Sequence, residues 1–220
     1  MFFTTFIQNF FDFPEDVLEI SKQVEWHKGK YGISPGFRSS PLEENFSRLC
    51  RYITIKVLSQ YYNLMDIEYA LTSDSYFNRV PLKHGTGITH RDATTLTCII
   101  FLSKNLNNCG TKIMKRNKFI IPNEIQIQES RKAHFDIDEP TPEWIKNRDY
   151  YNSHFTELAR VNSVFNSAIV FDGHDNHCMH IPDGLNQEQE RLTLTQFIDK
   201  TILPEGPSLR FSKSRSKFQI

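Results

Sequence analysis

The spacing of apolar positions changes once along the chain, from a helical period to an alternating one. "FPEDVLEISKQVEW" starts with Pro14 and two acids, and Val17, Leu18, Ile20 and Val24 fall on one stripe. Proline fits the first helical position and acids suit the positive end of the helix dipole, so the stretch predicts an amphipathic helix. "PLEENFSRLCRYITIKVLSQYY", from Pro41, repeats the pattern with Phe46, Leu49, Ile53, Val57 and Tyr61 on one face. Both stripes need a sheet to cover. From Asp66 the period drops to two: "IEYALTSDSYFNRVPL" alternates and is rich in aromatic and β-branched residues, which predicts strand.

The next strand candidate is "GITHRDATTLTCIIFL", Gly87 to Leu102, and after the turn-forming "NLNNCGTKIMKRN" a short strand is expected around Thr111 to Met114. A polar segment then runs to Pro142. "TPEWIKNRDYYNSHFTELARV" reads as a third helix, capped by Thr141 with Pro142 at its first position. "NSAIVFDG", "HCMHIPDG" and "RLTLTQFI" supply three more strands. Helices first and strands afterwards imply helices packed on one face of an antiparallel sheet system. The strand count fits a jelly roll, or cupin-like double-stranded β-helix, mainly β with some α. One domain is expected over 1–220: helical support in 1–65, the β-helix core in 66–200 with an insertion at 115–161, and a tail at 201–220. An insertion of that length predicts a lid, with Trp144 and Tyr150 or Tyr151 contributing to substrate contact or lid packing.

At 220 residues the chain can bury a full core without disulfides or structural metal. Lys plus Arg number 26 and Asp plus Glu number 26, so no net charge draws the protein toward nucleic acid or an anionic membrane. Cys50, Cys98, Cys109 and Cys178 are scattered without paired spacing, and read as reduced thiols. The N-terminus has no basic n-region or small-residue cleavage site, and no apolar run is long enough to cross a bilayer. A soluble, cytoplasmic protein is expected. The basic C-terminus, with Arg210, Lys213, Arg215 and Lys217, reads as a solvated tail.

Chemistry changes the picture at His90 and Asp92. Successive side chains of an extended chain point to opposite faces, so these two project to one side and Arg91 to the other. A third ligand is available from His174, His177 or His180, just past the strand ending near Phe171 or Asp172. Two imidazoles and one carboxylate with open positions make the facial triad that holds non-heme Fe(II). Arg191, Thr193 and Thr195 share one face of the last strand, while Leu192, Leu194 and Ile198 share the other. A guanidinium on the inner face of a core strand needs an anion, and its planar fork grips a carboxylate by both oxygens.

His90-x-Asp92, a distal histidine, then Arg191 with Thr193 two positions on resembles the iron(II)- and 2-oxoglutarate-dependent oxygenases. Within them it is similar to the prolyl-hydroxylase-like group and its small phage and bacterial homologues. The resemblance covers roughly Ile67 to Ile198 with gaps, and includes "NNCGT" at Gly110 and the "IPDG" after His180. It implies that His90, Asp92 and His177, rather than His180, hold Fe(II). It also implies that Arg191 and Thr193 bind the distal carboxylate of 2-oxoglutarate. The implied activity is a dioxygenase, using O2, that hydroxylates a C–H bond of an amino acid, a peptidyl side chain or a small metabolite and releases succinate and CO2. A non-catalytic metal- or sugar-binding cupin-like module is the alternative. His174 is expected to cap the turn after Gly173 and His84 to lie near the pocket rim, while His27, His134 and His154 take surface or helix-packing roles.

Overall fold

The structure, a computed structural model, describes residues 2–30, 36–64, 70–106, 108–117, 140–182, 185–186 and 188–202. The two predicted helices are α1 (Pro14–Gln23) and α2 (Glu43–Leu58). Around them come β1 (Thr5–Ile7), β2 (Trp26–His27) and β3 (Phe37–Ser39), three short strands that carry no clear alternation in sequence. The longer strands are β4 (Ala70–Pro81), β5 (Leu96–Phe101), β6 (Gly110–Arg116), β7 (Phe155–Asn162), β8 (Ser167–Asp172), β9 (Asn176–His180) and β10 (Glu190–Ile202). A third helix, α3 (Pro142–Asn152), precedes β7.

A seven-stranded sheet runs in the order β1-β8-β5-β10-β4-β3-β2 and a three-stranded sheet in the order β7-β6-β9. The fold is a double-stranded β-helix of the jelly-roll kind, with the N-terminal helices against its larger sheet. The parity of β10 shows how the layers stack. Leu194 and Ile198 are fully buried in one cluster with Phe10, Val17, Ile53 and Val57, so this face meets the helices. Each such aliphatic side chain contributes about 1.5–3 kcal/mol on burial. Gln196 shares that apolar face, its Nε2 donating to the Cys50 carbonyl at 3.0 Å and to Ser75 Oγ at 3.1 Å. On the opposite face, Phe101 and Ile169 and Phe171 of the large sheet meet Ile113 of the small one. The space between the sheets is therefore lined by Arg191, Thr193 and Thr195 from β10.

The third helix departs from the sequence expectation. Thr141 caps it as predicted, its Oγ1 accepting from Trp144 N at 3.2 Å, but the helix ends at Asn152 and the residues from Phe155 onward form β7. Pairing with β6, from Gly110↔Asn162 to Arg116↔Phe155, overrides the local helical pattern. The excursion between the paired strands is accordingly 117–154, narrower than the expected 115–161.

The described part of that excursion at its C-terminal end, 140–154, packs against the small sheet. Tyr151 packs with Met114, Phe155 and Cys178. Met114 and Cys178 alternate with Ile113 and His177, so α3 sits behind the small sheet, on the side away from the barrel interior. Trp144 is buried there with the Arg148 guanidinium 5.2 Å over its ring, and Tyr150 is exposed. The remainder of the expected lid, His134 and the basic tail lie outside the described residues. No helix among the described residues is long and apolar enough to cross a membrane.

Candidate metal centre

Three predicted residues converge at the end of the barrel where β5 begins. One ligand atom each from His90, Asp92 and His177 lies within 4.8 Å of the other two. His177 Nε2 is 3.3 Å from Asp92 Oδ2, and His90 Nε2 is 3.7 Å from Asp92 Oδ1. Backbone pairing sets this geometry, because His90 and His177 exchange both N–H···O=C bonds, at 2.9 and 2.8 Å. Asp92 N donates to the Gly173 carbonyl at 2.8 Å. That approach needs glycine, since a Cβ at Gly173 would collide with the Thr94 carbonyl.

The outer nitrogen of each ring is occupied. His90 Nδ1 lies 2.9 Å from the Ile88 carbonyl and His177 Nδ1 lies 3.0 Å from the Asp175 carbonyl. A carbonyl only accepts, so both Nδ1 atoms carry a proton and both Nε2 atoms face the carboxylate, where each can take either a second proton or a metal. This is the arrangement by which second-layer hydrogen bonds orient metal-ligating histidines. Asp92 is held from behind, Thr97 Oγ1 donating to its Oδ2 at 2.7 Å. Burial works against its charge, but the His177 and His90 rings and the Thr97 hydroxyl outweigh it and keep the carboxyl well below the ordinary carboxylate range. The donor set of two neutral imidazoles and one carboxylate suits a divalent transition metal. His177 is buried and its ring packs 4.5 Å from that of Phe171.

His180 is not in this cluster. Three residues beyond His177, it projects to the opposite face of β9, where its Nε2 lies 3.2 Å from Arg160 Nη1. Burial and the nearby Lys112 and Arg160 push its pKa down to about 4, which leaves it neutral. His174 closes its turn through the Asp172 carboxylate, as expected, with N and Nδ1 at 3.0 and 3.1 Å from Oδ1. His84 is buried in a single 3-10 turn, His27 sits in β2, and His154 is buried just after α3. All four cysteines are free and buried.

The second part of the site is Arg191, 4% exposed. Among the described residues no carboxylate pairs with it. Its Nη2 reaches the Gly110 carbonyl at 3.4 Å, its guanidinium lies 5.4 Å from the Phe101 ring, and its Nε has no hydrogen-bond partner. Burial pushes its pKa down to about 10. Thr193 is buried beside it on the same strand face. Thr111, next to Gly110, shares the inward face with Ile113, and its buried Oγ1 is also unpartnered. A buried guanidinium with an unpartnered Nε and no carboxylate beside it, and a buried hydroxyl without a partner on a strand of the facing sheet, are groups that an incoming carboxylate could satisfy. The sequence reading missed Thr97 and Thr111. Their only signal was parity, each lying an even number of residues from an inward neighbour on its strand.

No curated protein is significantly similar to the chain in sequence. In fold it is similar to HygX from Streptomyces hygroscopicus, in a structure with nickel, 2-oxoglutarate and hygromycin B bound. The TM-score is 0.55 at 14% identity, over 91% of this chain and 84% of that one. It is also similar to the non-heme alpha ketoglutarate dependent epimerase SnoN from nogalamycin biosynthesis (TM-score 0.52, 9% identity, 90% of this chain and 78% of that one). A Pseudomonas putida prolyl-4-hydroxylase gives a TM-score of 0.50 at 13% identity, over 90% of this chain and 92% of that one. At these identities the likeness is one of fold. Residues 4–198 match the model of a family of unknown function, DUF6445, and the chain belongs to that family.

Proposed function

We propose that the protein is an Fe(II)- and 2-oxoglutarate-dependent dioxygenase acting on a C–H bond of an amino acid, a peptidyl side chain or a small metabolite. The observation that carries this reading is Arg191, a buried guanidinium without a carboxylate partner among the described residues, on the inner wall of a barrel that also holds the His90, Asp92 and His177 cluster. The cluster alone would suit any metal-binding cupin-like module. A buried cation awaiting an anion is what a dicarboxylate co-substrate explains.

In this reading His90 and His177, through Nε2, and Asp92, through its carboxylate, would hold the metal. Arg191 takes the distal carboxylate of 2-oxoglutarate, with Thr193 and Thr111 offering hydroxyls to the same group. Phe101, Ile113, Ile169 and Phe171 exclude water around it. With Fe(II), 2-oxoglutarate and O2 bound, such a centre supplies oxidation of a substrate C–H bond coupled to conversion of 2-oxoglutarate to succinate and CO2. Similarity in fold to HygX and SnoN supports the class of reaction and leaves the substrate open.

The test is calorimetric titration of 2-oxoglutarate into the Mn(II)-loaded protein, followed by measurement of succinate released across panels of amino acids, peptides and small metabolites. Saturable 2-oxoglutarate binding and substrate-stimulated succinate are expected. Metal uptake without affinity for 2-oxoglutarate would replace this reading with a non-catalytic metal- or sugar-binding module.

A further inference from the structure

We infer that Asn152, the last residue of α3, is a positioning residue that sets the orientation of the His90 ring, an inference that rests on the metal reading above. Residues 87–90 lie along β9 like a further strand. Gly87 N donates to the Met179 carbonyl at 2.9 Å, and His90 exchanges two bonds with His177. A segment at the edge of a sheet leaves its alternate N–H and C=O groups pointing outward, without a neighbour. Here that neighbour is a side chain. Asn152 Nδ2 donates to the Gly87 carbonyl at 2.9 Å, and its Oδ1 accepts from Thr89 N at 2.9 Å. One primary amide thus does the work of the missing strand on both sides of Ile88.

The consequence runs through a single peptide plane. Thr89 N–H and the Ile88 carbonyl belong to the same planar unit and point in opposite directions. Asn152 grips the N–H end, and the carbonyl end accepts from His90 Nδ1 at 2.9 Å. Holding one end fixes the other, and with it the ring that turns Nε2 toward Asp92. Thr89 is fully buried, so water does not replace the amide. Arg148, one helical turn earlier on the same face of α3, anchors the helix to the same segment by donating from Nη1 to the Thr86 carbonyl at 3.1 Å. His177 has no such dependence, because its Nδ1 is held by Asp175 in its own turn.

The experiment compares the full-length wild type with Asn152→Leu, which keeps the volume and removes both bonds. Asn152→Ala serves if the leucine variant does not fold, and Asn152→Asp retains only the acceptor for Thr89 N–H. Histidine 15N spectra of the apo proteins report ring tautomers, and Co(II) titration followed by its visible absorption reports metal affinity. In Asn152→Leu, His90 is expected to shift from a single Nδ1–H tautomer to a mixture while His177 is unchanged. The Co(II) Kd is expected to rise about tenfold or more, as for other residues that orient metal ligands. Asn152→Asp is expected to restore both readouts toward wild type. An unchanged His90 tautomer with wild-type Kd in the leucine or alanine variant overturns the inference, and so does an aspartate variant as impaired as the leucine one. A wild-type chain that takes up no Co(II) overturns the metal reading instead, and the tautomer spectra still decide whether Asn152 sets the ring.

Discussion

Thr97 Oγ1 donates to Asp92 Oδ2 at 2.7 Å, the same oxygen that faces His177 Nε2 at 3.3 Å. The hydroxyl restrains the carboxylate to one rotation and stabilises its charged form. Thr97→Val keeps the shape and removes the donor. Metal affinity is expected to fall about tenfold, the lower end for loss of an outer-layer partner, with little change in folding. Calorimetric Mn(II) titration checks it, and an unchanged Kd would mean that Asp92 is held well enough by the Gly173 turn alone.

His177 and His180 separate cleanly by experiment because they project from opposite faces of β9. His177→Ala and Asp92→Ala are expected to abolish Fe(II) or Mn(II) binding. His180→Ala is expected to leave it within about threefold, since the centre has lost no group that touches it. The reverse result would move the distal ligand to His180 and require β9 to shift its register against β6, where Ile113 now pairs with His177.

The helical layer makes a stability prediction independent of the site. Ile53 is fully buried between α2 and the large sheet, whereas Ile55 on the same helix is 39% exposed. Ile53→Ala is expected to cost about 2–5 kcal/mol by urea unfolding, and Ile55→Ala to stay within about 0.5 kcal/mol. Comparable losses at both positions would mean that the outer face of α2 is also covered in solution.

The parts of this architecture that were legible in sequence are those where one local rule decides. From the stripe, Ile53 and Val57 are the buried face of α2, Phe46 and Leu49 pack partly buried against the same cluster, and Tyr61 joins it just past the helix end. The parity of Arg191 and Thr193 against Leu192 and Leu194 separates the pocket wall from the helix-facing core. His90 and Asp92 were visible for the same reason. What remained hidden depends on long-range pairing. Residues 155–162 have a helical spacing and become a strand because β6 offers them a ladder. Asn152 acts on Thr89 across 63 positions of sequence, and the carbonyls that fix both imidazoles are backbone groups with no residue signature.

Arg191 carries the last prediction. In Arg191→Met the aliphatic stem beside Phe101 is preserved and only the charged fork is lost, so the barrel should fold as before. The variant should even be slightly favoured without co-substrate, because burial of the unpaired guanidinium works against the fold and pushes its pKa down. With 2-oxoglutarate the sign reverses. A charge-assisted hydrogen-bonded pair contributes about 1.5–3 kcal/mol, so the 2-oxoglutarate Kd is expected to rise roughly 10- to 150-fold. Mn(II) affinity measured without 2-oxoglutarate should be nearly unchanged, since Arg191 touches none of His90, Asp92 and His177. Arg191→Lys should recover little, because an ammonium cannot reproduce the two-pronged grip. Thermal melting with and without 2-oxoglutarate checks both signs at once: the co-substrate should raise the melting temperature of the Mn(II)-loaded wild type and have almost no effect on Arg191→Met. Equal shifts in the two proteins would remove Arg191 from the co-substrate site and leave its burial to be explained by another anion.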